Sequence, residues 1–134
     1  MFVIAGDNTS EAVPSMPGVS RYSVDLAVKK AEEAAEFGIP AKEIVQTARL
    51  VATGRIADAK GDLEGAARAY EDAIFIEDTL AYTEPAYWYY PVRQSLGSVR
   101  LRQGQLDAAQ QALRDSLGRV RNNAWALAGL TEVE

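Results

Sequence analysis

The chain has 134 residues, 48% hydrophobic and 25% charged, a balance that suits one soluble globular domain with a real core and excludes an intrinsically disordered chain. It contains no cysteine and no histidine, which removes disulfides, thiolate nucleophiles, imidazole bases and the commonest zinc ligands together. The net charge of −5 is uneven, with 8 Lys/Arg against 15 Asp/Glu in residues 1–89 and 6 against 4 in residues 90–134. The acidic part argues against nucleic acid. Arg93, Arg100, Arg102, Arg114, Arg119 and Arg121 read as a solvated helix face.

The first forty residues open with the short apolar run FVIAG, continue through a Pro/Ser/Gly-rich loop, and reach a helix expected over about 23–37, with Asp25 near its start and Gly38 after its end. FVIAG is too short for a signal-peptide core, and AWALAGL (124–130) is too short to span a bilayer, so a cytoplasmic protein without a membrane partner is expected. The pieces FV-x-x-G, VPSMPGV-x-R and a helix ending in GIPA resemble the opening of porphobilinogen synthase, a tetrapyrrole-pathway enzyme family built on a TIM barrel. That resemblance stops near Ala41, where KEIVQTARLVATGRIADAK reads as an alternately charged helix instead of a second barrel strand. It also implies that the family's Schiff-base lysines and metal ligands lie far downstream, so it carries no catalytic residue onto this chain. A natural fusion, a recombined reading frame and engineering would each produce such a sequence. An isolated strand has no sheet to join, so residues 1–22 are expected to be extended or partly disordered. Val24, Ala27, Val28, Ala31, Ala34 and Ala35 give the helix an apolar side suited to capping the first repeat helix.

Beyond residue 41 the chain repeats itself. Gly54-x6-Gly61-x4-Ala66-x3-Tyr70-x2-Ala73 recurs at identical spacing as Gly97-x6-Gly104-x4-Ala109-x3-Leu113-x2-Ser116, with AYTEPAYWY (81–89) as extra sequence between the copies. In the first copy Gly61 stops one helix, Asp62 caps the next, and Ala66, Tyr70, Ala73 and Ile74 form one apolar stripe over about 63–77. In the second, Gly104 makes the turn, Val92, Leu96 and Val99 face Ala109, Leu113, Leu117 and Val120, and a last helix carries Trp125, Leu127 and Leu130. Leu96-Gly97, Gly104 and Ala109, with Gly54, Gly61, Ala66, Tyr70 and Ala73, resemble the tetratricopeptide (TPR) repeat over about residues 47–134. Ala57, Arg100 and Leu113 depart from its usual aromatics, and neither copy has its terminal proline.

The expected fold is therefore all-α, with about five or six helices in TPR-like antiparallel helix-turn-helix repeats. A single helical domain is expected over 23–134: a capping helix (about 23–37), repeat 1 (about 42–80), an aromatic insertion (81–89), repeat 2 (about 90–121) and a terminal helix (about 123–132).

No catalytic constellation is found. Glu32-Glu33 and Glu71-Asp72 are adjacent residues on helices and diverge, and GxGxxG, P-loop, HExxH and EF-hand patterns are missing, so no cofactor or metal is implied. Candidate partner-binding residues are Tyr82, Tyr87, Trp88, Tyr89, Arg93, Arg55, Gln94 and Trp125. The rings of EPAYWYYP (84–91) are expected mostly to fill a wide bend, leaving one or two for a partner. Arg93 either holds an acidic partner group or pairs with Glu84, and Trp125 reads as the apolar anchor of the last helix. The TPR resemblance implies a peptide groove containing Ala48, Val51, Arg55, Asp58, Gln94, Ser98 and Leu101; Val51, Arg55, Gln94 and Ser98 stand where the chaperone-binding subset places its lysine and asparagine clamp, so that clamp is absent. The expected function is a non-catalytic protein-interaction or scaffold module binding an unidentified protein or peptide. The alternative is an inactive fragment or fusion derived from porphobilinogen synthase. Uncovered repeat ends make a homodimer through the terminal helices a working expectation.

Overall fold

The computed structural model describes residues 2–133, and within them every side chain but that of Ala35. Ala35, one of the residues assigned to the apolar side of the first helix, thus lies outside the described side chains. The chain divides into two compact units, Met1–Lys42 and Glu43–Glu134.

The first unit carries a small sheet within the segment expected to be extended or partly disordered, so the chain is mostly helical and not purely α. Three short strands, β1 (Phe2–Val3), β2 (Ser10–Ala12) and β3 (Ser20–Tyr22), form a sheet in the order β1-β3-β2. Phe2 lies opposite Arg21 in the parallel pair β1–β3, and Glu11 opposite Arg21 in the antiparallel pair β2–β3. The Pro/Ser/Gly loop supplies the missing partners by folding back: Val13 N–H donates to Val19 C=O (2.9 Å), and Val19 N–H to Met16 C=O (3.0 Å). The backbone groups of β1 that an isolated strand would leave unpaired are met by β3.

Helix α1 (Val24–Glu36) follows. Ser23 is fully buried; its N–H donates to Thr9 C=O and its Oγ accepts from Thr9 N–H, both at 2.9 Å, so this residue ties the helix start to the sheet. In the first turn the Ser23 hydroxyl, and after it Asn8 N–H (3.0 Å), hold the Asp25 carboxyl below its ordinary range. At the other end Gly38 takes φ +76°, and Ile39 N–H reaches back to Ala34 C=O. Of the expected apolar side Ala27 is buried, whereas Val24 and Val28 are exposed. The helix falls inside the first unit, with the strands, and not in the unit that holds the repeats.

The second unit is helical: α2 (Ala41–Ala59, its first two residues in the first unit), α3 (Leu63–Glu77), α4 (Arg93–Arg102), α5 (Leu106–Arg119) and α6 (Ala124–Val133). Positive φ at Gly61 (+79°) and Gly104 (+74°) ends α2 and α4 in the same way. Asp62 N–H donates to Ala57 C=O and Gln105 N–H to Arg100 C=O, the six-to-one bond of a Schellman cap, and these residues sit at equivalent places in the two copies. Only the first copy has a side-chain cap, Asp62 accepting from Gly65 N–H at 2.8 Å.

The core between the helices is made of small residues. Val51, Ala66, Ala67, Tyr70, Ala73, Val92 and Val99 form one buried cluster, with Leu96, Trp88 and Tyr90 packed against it. A Cβ on Gly54 would lie 2.6 Å from the Tyr70 ring, and one on Gly97 would lie 2.6 Å from Leu113 Cγ, so each pair of helices meets where one has no side chain. On α5 the buried side is Ala109, Ala112, Leu113 and Ser116, and Val120 is exposed, contrary to the expected stripe. Trp125 is corrected too. Ala126 is the buried anchor of α6 and Gly129 sits 3.0–3.1 Å (as a Cβ) from Leu113, leaving no room for an indole, which is 77% exposed instead.

Gly54→Ala and Gly97→Ala are each expected to destabilise the chain by about 1–3 kcal/mol through overpacking. Gly118→Ala, in α5 where a Cβ meets nothing, should instead stabilise by up to about 1 kcal/mol from helix propensity. Denaturant midpoints of the three variants check this, and equal effects at all three positions would contradict the close approach.

Candidate functional site

The segment between α3 and α4 is fastened at both ends by charge. Arg93 donates to both oxygens of Asp78 (Nη1–Oδ1 2.8 Å, Nη2–Oδ2 2.6 Å) and lies 3.8 Å from Glu77; Arg119 reaches Asp78 from α5. The Arg93 hydrogen bonds hold the Asp78 carboxyl below its ordinary value and push the guanidinium up. Glu77 is buried and accepts from Val92 N–H (3.3 Å); its burial raises the carboxyl above its ordinary value against the pull of that bond and of the two arginines. The expected pairing of Arg93 with Glu84 is therefore replaced, because the last residues of α3 lie nearer to the start of α4 than the loop tip does. Glu84 accepts from the Tyr82 hydroxyl instead. Arg93 is spent inside the fold.

Held at its ends, the loop divides its rings. Trp88 and Tyr90 pack on the core, filling the bend, while Tyr82 and Tyr89 are mostly exposed and Tyr87 is half-buried. Successive rings lean on one another, with centroids 5.2 Å apart for Trp88–Tyr89 and 4.7 Å for Tyr89–Tyr90. A cleft of about 450 Å³ lies along the loop, lined among others by Glu77, Tyr82, Tyr87, Trp88, Arg119 and Val120.

A second hollow, of about 570 Å³, brings together four of the residues singled out in the sequence: Arg55 from α2, Tyr89 from the loop, Gln94 from α4 and Trp125 from α6, with Tyr90, Pro91, Val120 and Asn123. Arg55 donates to the hydroxyls of Tyr90 (3.2 Å) and Tyr89 (3.4 Å), and its guanidinium carbon stands 5.6 Å from the Tyr90 ring centre. Asn123, buried at the start of α6, accepts from the N–H groups of Trp125 (3.1 Å) and Ala126 (3.2 Å) and donates to the Gln94 side-chain oxygen. Of the other expected groove positions, Gln94, Ser98 and Leu101 line a hollow of about 340 Å³ between α4 and α6, Val51 is buried in the core, and Asp58 pairs with Arg102. Tyr90, one of the EPAYWYYP rings but not among the candidate partner residues, and Asn123, which sequence reading passed over, complete the lining. The spacing of Asn123 before an apolar run carries an N-cap signal for α6; nothing in the sequence places the Tyr90 hydroxyl next to Arg55.

The arrangement offers recognition chemistry: rings, a cation and amides in a shallow hollow. Among the described residues no group of three or more carboxylates could hold a metal ion, and no helix is long and apolar enough to cross a membrane.

Comparison with known proteins finds that the family model described as delta-aminolevulinic acid dehydratase matches residues 1–84. That match extends past Ala41, through α2 and α3, further than the resemblance read from the sequence. The delta-aminolevulinic acid dehydratase of Bradyrhizobium diazoefficiens is 52% identical over 40 residues, which cover 30% of this chain and 11% of that protein. The chain thus spans about a tenth of the length of the curated relative it matches. No solved structure matches it significantly.

The two neighbouring carboxylates at the end of α3 should titrate in opposite senses. Glu77 is raised from 4.5 by burial, so the folded chain holds its proton more readily than the unfolded one, and its contribution to stability falls as pH rises through that raised value. Asp78 is lowered from 3.8 by Arg93, so its contribution is present above 3.8 and is lost as pH falls through the depressed value. Glu77→Gln, which keeps an acceptor for Val92 N–H, is expected to gain stability relative to the parent chain as pH rises above 4.5, levelling off once the raised Glu77 value is passed. Asp78→Asn should be most destabilised at neutral pH, with its deficit narrowing below about pH 4. Urea midpoints across this range decide it; pH-independent differences would contradict both assignments.

Proposed function

From the premise that this chain belongs to the delta-aminolevulinic acid dehydratase family, we propose that it is a porphobilinogen synthase-derived protein whose first unit keeps the opening of that enzyme, and whose 134 residues alone form no porphobilinogen. The observation that carries this reading is the match over residues 1–84 alongside coverage of 11% of the curated relative. The strand, hairpin and helix of the first unit agree with it, since the resemblance implies a strand-loop-helix opening with the Schiff-base lysines far downstream. A colorimetric assay with 5-aminolevulinate is expected to give no product above a heat-inactivated control. Product formation proportional to protein concentration would overturn the non-catalytic reading.

For residues 43–134 we propose a protein-interaction module of the TPR type. Its support is the duplication of the same physical devices 43 residues apart: Schellman caps at Gly61 and Gly104, and glycine against a bulky side chain at Gly54–Tyr70 and Gly97–Leu113. The hollow lined by Arg55, Gln94 and Trp125 gathers one residue from each of α2, α4 and α6, the arrangement such a module uses to hold an extended segment. An unbiased displayed-peptide selection is expected to enrich ligands that shift the amide resonances of Arg55, Gln94 and Asn123. Failure to enrich any ligand, or shifts confined to other surfaces, would contradict the module.

A further inference from the structure

The polar groups around the second hollow are almost all committed in one direction. Asn123 is oriented by α6, because its side-chain oxygen accepts from the N–H groups of Trp125 and Ala126. Its amide nitrogen must then donate, and the Gln94 oxygen takes that bond. Gln94 is left presenting its NH₂ group. On the other wall the Tyr89 and Tyr90 hydroxyls accept from Arg55, which leaves their O–H hydrogens to donate. Arg55 makes no ion pair with any carboxylate among the described residues, whereas Arg68, Arg93, Arg100, Arg102 and Arg119 each have one, and no Asp or Glu lines the hollow. With Asn123 spent on its neighbours, the polar side chains left to a ligand, Arg55, Tyr89, Tyr90 and Gln94, therefore offer donors, with one uncompensated positive charge, beside the apolar surfaces of Pro91, Val120 and the exposed Trp125.

Such a lining is complementary to an acceptor-rich anion carried next to apolar bulk. We propose that this hollow binds an acidic peptide segment, a carboxylate seated on Arg55 and the tyrosine hydroxyls and a neighbouring large apolar side chain laid on Trp125 and Val120. The proposal rests on the reading of residues 43–134 as an interaction module and adds the chemistry of its ligand. A volume of about 570 Å³ suits a few residues of an extended chain, not a folded element. Phosphate or nucleic-acid partners, which present several anionic oxygens at once, are disfavoured by the single uncompensated arginine.

The test uses the full chain and three blocked pentapeptides with a central phenylalanine, flanked by glutamate, glutamine or lysine. Tryptophan fluorescence and amide chemical shifts serve as readouts. The glutamate peptide is expected to bind at least about tenfold more tightly than the glutamine peptide, with the lysine peptide weaker still, and the margin should shrink as salt rises. Arg55→Met should erase the glutamate preference and Arg55→Lys should keep part of it. Arg114→Met, on the exposed side of α5, should leave it unchanged, and circular dichroism checks that each variant is folded. Equal binding of the glutamate and glutamine peptides, no binding of either, or a preference that survives Arg55→Met would overturn the proposal. So would an affinity that falls with protein concentration, which would mean that a second copy of the chain covers the hollow. If selected peptides shift Arg55, Gln94 and Asn123 but are not acidic, the module stands and only its ligand chemistry fails.

Discussion

The second unit depends on bringing pairs of helices closer than side chains normally allow. Gly54 lets the Tyr70 ring press on the backbone of α2, and Gly97 does the same for Leu113 against α4, so a core otherwise built of alanine and valine is dense despite small side chains. Short helices of this composition carry little stability by themselves and hold their shape through such packing. The tight Schellman turns at Gly61 and Gly104 follow from the same demand, since partners that run back at close range leave few residues to reverse direction.

The candidate site is a by-product of what joins the two pairs. The segment after α3 would be a loose loop if Asp78 did not hold Arg93 from α4 and Arg119 from α5. With its ends fixed and Trp88 and Tyr90 sunk on the core, Tyr89 has to face α2, where Arg55 meets both hydroxyls. A buried carboxylate at Glu77 is tolerated because Val92 N–H and two arginines surround it. Ion pairs that look incidental on the helix surface therefore decide where Tyr89, Tyr90 and Arg55 stand.

Much of this was legible in advance where local chemistry dominates. Asp62, Gly61 and the Ala66/Tyr70/Ala73 stripe mark α3, which runs Leu63–Glu77, and the identical spacing marks Gly54 and Gly97 as equivalent positions. What was missed is non-local. The strands Ser10–Ala12 and Ser20–Tyr22 are short and polar, with no alternation to betray them, and form because a proline-bearing loop returns the chain to its own start. Arg93 chose Asp78 over Glu84 because the separation that matters is spatial. Trp125 turned outward because α6 packs on Leu113 through Ala126 and Gly129, a constraint belonging to the partner helix and not to α6's own pattern.

Close approach at two glycines is also the claim most exposed to direct measurement. In a nuclear Overhauser spectrum of the labelled chain, the Gly54 Hα protons should show strong cross-peaks to the Tyr70 ring and ring-current-shifted frequencies, and the Gly97 Hα protons should show strong cross-peaks to the Leu113 methyls. Absence of both sets of cross-peaks, with Gly54 Hα at ordinary helical shifts, would contradict the account.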